Sequence, residues 1–135
     1  MADLTQTAAN VRPLSGGAVA LAVGAEALTQ GQPLYLDGAK YRRCTAAGTV
    51  AQAKCEAIAL TPCGVDGPVV IARAGMDIDL GATLAVGTVY AVSATTGAIA
   101  PIADLVSTNF VTPIGTATTA SKLKFNPQPS GVAKA

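Results

Sequence analysis

Asp77 and Asp79 are the two carboxylates of this chain that stand close enough in sequence to share a task. In the run MDIDL (residues 76–80), alternation along an extended strand puts both on one side, with Met76, Ile78 and Leu80 on the other. Two carboxylates begin a site for a hard cation, which takes six or more oxygen ligands. Here no third carboxylate and no EF-hand loop accompanies them. The pair reads as the polar outer side of a half-buried strand. Acid–base chemistry most often recruits histidine, and the chain has none. Five serines (Ser15, Ser93, Ser107, Ser121 and Ser130) therefore lack an imidazole partner, and none sits in a G-x-S-x-G elbow.

The remaining candidates fare no better. Cys44, Cys55 and Cys63 are odd in number and without a C-x-x-C pair, so neither a zinc site nor a disulfide framework is expected. They read as small buried thiols of a reducing compartment. Lys54 precedes Cys55, but neighbours on a strand face opposite ways. Glycines are dispersed and form neither a P-loop nor a dinucleotide fingerprint. Lys40 follows a turn, but its neighbours Ala39 and Tyr41 differ from the lysine tips of biotinyl or lipoyl carriers. No catalytic residue, cofactor or metal is expected, and enzymatic activity is not.

The net charge of +1, with Arg42 and Arg43 as the one adjacent basic pair, lacks the basic stripe that tracks a phosphate backbone. The longest apolar run, residues 16–25, falls far short of the roughly 20 residues needed to cross a bilayer. The first residues, MADLTQTAANVRPL, lack a signal-peptide pattern. The expectation is a soluble protein made in a cytosol, with no nucleic-acid, membrane or small-molecule partner. Apolar residues make up 50% of the chain, but 28 of them are alanine and only five residues are aromatic. Alanine buries little area, so association that covers more surface would help such a core.

The elements implied are short strands between turns. Residues 18–23 (AVALAV) alternate small and larger apolar side chains. Residues 33–36 and 40–45 flank Asp37-Gly38, a strong hairpin signal. Residues 46–53 read as a loop or one helical turn. Further strands are expected at 55–60, 69–73, 76–80, 86–92, 98–102, 111–117 and 123–125. GATLAVGTVYAVSATTGAIAP (residues 81–101) is a hairpin about a small polar turn. GAEALTQGQPLYL, from Gly24, echoes GATLAVGTVYAV, from Gly81, in its glycines and tyrosine, and a recurring turn-strand unit accounts for the echo. The fold class expected is all-β: a small β-barrel or β-tulip-like sandwich of about seven or more short strands, with little helix. Residues 1–17 read as an extended N-terminal arm, 18–126 as the β domain and 127–135 as a flexible tail.

The order of these motifs resembles that of bacteriophage capsid decoration (cement) proteins of the small β-barrel or β-tulip type. It is carried by AEALTQGQPLYLDGAKYRRC (25–44), EAIALTPC (56–63), GPVVIARAGMDIDLGATLAVGTVYAVSATTGAIAPIADL (67–105) and VTPIGTATTASKLKF (111–125). The resemblance covers most of the chain beyond the arm. It implies a virion protein on the outer capsid surface, assembled in the host bacterial cytoplasm. It further implies a homotrimer that bridges neighbouring major capsid protein subunits. The alternatives are a tail, baseplate or head-fibre component, or a glycan- or host-surface-binding β module. Strand addition by the arm makes Asp3, Leu4, Val11, Arg12 and Leu14 the expected capsid contacts. Deleting residues 2–14 is then expected to abolish occupancy and leave the domain folded.

Overall fold

The computed structural model describes residues 3–4, 6–15 and 19–134. Alternating apolar residues and glycine-bearing turns fold into eleven short strands in two antiparallel sheets. The first sheet contains β2 (Val19–Val23), β3 (Pro33–Asp37), β4 (Lys40–Arg43), β5 (Ala57–Ala59) and β6 (Pro68–Ala72), in the order β2-β6-β5-β3-β4. The second contains β7 (Asp77–Leu80), β8 (Val89–Val92), β9 (Ile99–Pro101), β10 (Pro113–Ala117) and β11 (Lys122–Phe125), with β1 (Val11–Ser15) at its edge. Its order is β1-β7-β11-β10-β8-β9.

Without β1, the two sheets have one topology. In each five-strand unit the first strand pairs with the last, the last with the fourth, the fourth with the second and the second with the third. Even the helical turns correspond. The first unit has α1 (Val50–Ala53) between its third and fourth strands, and the second has a 3-10 turn at Ile102–Asp104 in the same place. Thr49 and Gln52 start α1 with a reciprocal capping box. The Gly24 and Gly81 runs lead into equivalent strands. Gly31 N–H donates to Ala59 O at the end of β5, and Gly87 N–H donates to Ala117 O at the end of β10, both at 2.8 Å. The echo thus marks a duplicated topology and goes further than a recurring turn.

The main core lies between the sheets. Ile78, Leu80, Tyr90, Val92, Ile99, Ile114, Leu123 and Phe125 meet Tyr35, Ile58, Leu60 and Ala72 there. A second cluster occupies the opposite face of the first sheet, with Leu34, Tyr41, Ala57, Ala59, Val69 and Ile71 capped by Leu28. Leu28 N–H donates to Cys63 O and accepts Cys63 N–H in return. Glu26 accepts from the Arg43 backbone N–H and guanidinium, which seats the covering segment. Gly24 bridges Tyr41, drawing the ends of β2 and β4 together. Among the described residues no ladder closes this sheet into a barrel, so the architecture is a sandwich.

Both chain ends depart from expectation. Residues 11–15, read as arm, form β1 and pair with β7 in the register Val11↔Leu80, Arg12↔Asp79 and Pro13↔Ile78. Pro13 is compatible with this because β1 is an edge strand. The tail also packs back onto the domain. Ala133 bridges Phe110, Val111 N–H donates to Val132 O, and Lys134 Nζ donates to Leu105 O. The expected arm boundary at residues 17–18 lies outside the described residues.

Candidate functional site

The expected contact residues fall into two groups. Val11 is only 4% exposed and belongs to the main core, so it cannot serve as a surface contact. Asp3 and Leu4 are half-buried. Ser93 Oγ donates to Asp3 Oδ1, and Leu4 N–H donates to Ile99 O at 2.8 Å while its side chain packs against the core. These three residues hold the N-terminal segment onto its own domain. Arg12 of β1 stands opposite Asp79 of β7, and Leu14 lies at the bulge where the register with β7 shifts. The Arg12 side chain is 69% exposed and Leu14 is 40% exposed. They are the part of the expected site that lies at the surface.

The segment before β1 acts as a strap across both units. Gln6 Nε2 donates to Gly31 O in the first unit and to Leu80 O in the second, and Thr7 N–H donates to Gly81 O at 2.7 Å. The fit leaves no room at Gly81, where an added Cβ would lie 2.4 Å from Thr7 O and φ is +67°. Beside the strap, Thr7, Asn10, Arg12, Asp79 and Thr83 line a shallow polar depression.

Asp77 and Asp79 point away from the core, as alternation requires, and each meets a cation from a flanking strand. Arg12 of β1 lies 3.5 Å from Asp79, and Lys122 of β11 lies 4.0 Å from Asp77. Asp79 also accepts Gly81 N–H at 2.9 Å. The carboxylates thus pair neighbouring strands across the sheet. Among the described residues no three histidine, cysteine or acidic groups cluster as metal ligands. No helix among them is long and apolar enough to cross a membrane.

The cysteines are unbridged: Cys44 and Cys55 are buried, and Cys63 is half-buried. Burial pushes the Cys44 thiol up, and the adjacent Cys55 adds to the effect. The folded chain therefore holds a proton that the unfolded chain releases above the ordinary thiol value of 9.0. This contribution is complete below that pH and is lost above it, by at most about 1.4 kcal/mol per pH unit. Urea unfolding at stepped alkaline pH is expected to show stability falling less steeply in Cys44→Ala than in the unsubstituted protein. Equal slopes would count against the buried thiol.

One surface feature was not foreseen from AVALAV. Its larger side chains point outward: Val19 is 52%, Leu21 76% and Val23 37% exposed, while Ala20 and Ala22 pack on the second cluster. Strict alternation separates the alanines from the larger residues, but which set faces inward is decided by the remote strands that build the second cluster. A comparison of the chain with protein-family models, curated proteins and solved structures finds no match.

Proposed function

We propose that this protein is a capsid decoration (cement) protein without catalytic activity. It seats on the outside of a bacteriophage head and bridges neighbouring major capsid protein subunits as a homotrimer. The observation that carries this reading is the ordered set of turn-strand motifs between residues 25 and 125, with the resemblance they bear. The duplicated sandwich supports it by offering a body in which the carboxylates of Asp77, Asp79 and Asp3 are spent on internal pairing. Arg12 and Leu14 are the contacts kept from the expected site, presented by a fixed strand rather than by a free arm. A preformed strand loses less conformational freedom on docking than a disordered segment does. Many weak contacts on one particle then combine through effective concentration.

Particles prepared with and without the protein test the reading under heat or low-salt challenge. Loss of capsid integrity only in its absence is the expected result, and particles of unchanged integrity would overturn it. In the same assay, Arg12→Gln combined with Leu14→Asp is expected to lower occupancy at least about tenfold. Both side chains are exposed, so the melting temperature of the free protein should move little.

A further inference from the structure

The C-terminal segment is held in a way unlike the rest of the fold. Residues 127–134 form a flap that runs antiparallel to residues 109–113, with Ala133 bridging Phe110. Main-chain hydrogen bonds fasten it: Gln128 N–H donates to Pro113 O, Ser130 N–H to Val111 O and Val111 N–H to Val132 O. Yet residues 128–134 are all exposed, so packing adds little. Segments with few buried apolar contacts and exposed backbone bonds open at the low end of a protein's stability range. Pro129 and Gly131 of the flap also wall a cleft whose other side is Val50, Ala53 and Phe110.

The tip of the flap ends on a strained turn. Asn109 N–H donates to Val106 O, closing a turn in which Thr108 has φ +73° and Ser107 does not share the positive sign. That is the type II pattern, whose third position suits glycine. A β-branched residue there is an outlier, and such strain persists only where the surroundings over-determine it. Thr108 is exposed, so side-chain packing does not hold it. Lys134 does. Thr108 N–H donates to Lys134 O, Lys134 N–H to Asn109 O, and Lys134 Nζ to Leu105 O at 2.7 Å. A type I turn would give Thr108 an ordinary negative φ and keep the same closing bond. The two types differ by a flip of the peptide between Ser107 and Thr108, which turns the Thr108 N–H away from Lys134 O. The bonds between Val106 and Asn109, one of them through Asn109 Oδ1, do not involve that peptide.

We propose that the flap and this turn form a two-state latch. Docked, Lys134 holds the turn in its type II form. Open, residues 127–134 leave together and the turn relaxes to type I. Opening frees the Val111 N–H and the carbonyls of Asn109, Val111 and Pro113, and it uncovers the Phe110 side of the cleft. The strain at Thr108 makes the flap easier to release than its hydrogen bonds alone would, and it couples the tip of the flap to the turn. The latch is independent of the capsid reading, which the particle assay decides.

Amide hydrogen exchange of the full chain, followed residue by residue, tests the latch. Gln128 and Ser130 report on the flap, and Val92 and Phe125 on the core. Corrected for intrinsic rates, the flap amides are expected to exchange together and at least about tenfold faster than the core pair. Thr108→Gly removes the strain and is expected to slow exchange at Gln128 and Ser130 about fivefold, after allowance for the greater freedom of glycine in the open form. Lys134→Met, which loses the bond to Leu105 O, is expected to speed it about threefold. Neither substitution adjoins a reporting residue, so their intrinsic rates are unchanged. Flap amides that exchange only at the rate of the core would overturn the proposal. So would a Thr108→Gly effect confined to the last residues, which is fraying from the chain end, or no effect at all.

Discussion

A chain lacking residues 2–14 is expected to lose most of its stability, seen as a large fall in the urea midpoint or as failure to fold. The deletion removes Val11 from the main core together with the strand that covers one side of β7. Burying a valine contributes about 1.5–3 kcal/mol. Leu4 N–H, Thr7 N–H and the Gln6 amide also lose their long-range partners, at about 1 kcal/mol each. Some of this is offset by the conformational freedom the segment regains. The net loss of about 3–5 kcal/mol is a large share of the 5–15 kcal/mol that a domain possesses. An unchanged midpoint would show that the strap and β1 do not hold the two units together. The same deletion would confound any occupancy assay, which is why Arg12 and Leu14 are the substitutions to use on particles.

Gly115→Ala is expected to be the most damaging glycine-to-alanine change among the described residues. Gly115 lies in β10 between Phe125 of β11 and Tyr90 of β8, where the register with β8 shifts. An added Cβ would lie 2.1 Å from Lys124 O and 3.0 Å from its carbonyl carbon. Both atoms belong to the backbone of a paired strand, so no side-chain rotation relieves the clash. Overpacking of this kind costs about 1–3 kcal/mol, and displacement of a central ladder places this case at the upper end. For a domain of this size the melting temperature should fall by about 10 °C. Thr116→Ala, at the exposed neighbouring position, should change stability by less than about 0.5 kcal/mol. Equal melting temperatures for the two variants would contradict the close approach of β10 and β11.

The parts of this fold legible in the sequence are those that close locally. Asp37-Gly38 marks the turn between β3 and β4, and the small polar turn after Val92 marks that between β8 and β9. Alternation placed Ile78 and Leu80 inside and Asp77 and Asp79 outside, as observed. Local signals end where the partner is remote. Nothing between Val11 and Ser15 announces a strand, because β1 exists through its ladder with β7, far along the chain. The tail is similar, since Val132 and Lys134 are held by residues 105–111 rather than by any pattern of their own. The duplication was visible only as a shared tyrosine and shared glycines, of which Gly31, Gly81 and Gly87 have positive φ, where the backbone itself constrains residue type. Elsewhere the two units use different side chains for the same topology. Of the expected contact residues, the structure leaves Arg12 and Leu14 at the surface and turns Asp3, Leu4 and Val11 inward.

The strap also bears on how the chain assembles. Every ladder of the first unit closes among residues 19–72, so that unit is complete as soon as those residues are available. β1 stands ahead of it in sequence but has its partner in the second unit, at residues 77–80. Closing a loop costs entropy that grows with its length, and here the loop contains an entire sheet. During vectorial synthesis β1, made ahead of the first unit, therefore waits for a partner that emerges after it. Gln6, donating to Gly31 O and Leu80 O, then acts as a latch that engages only when both halves are present.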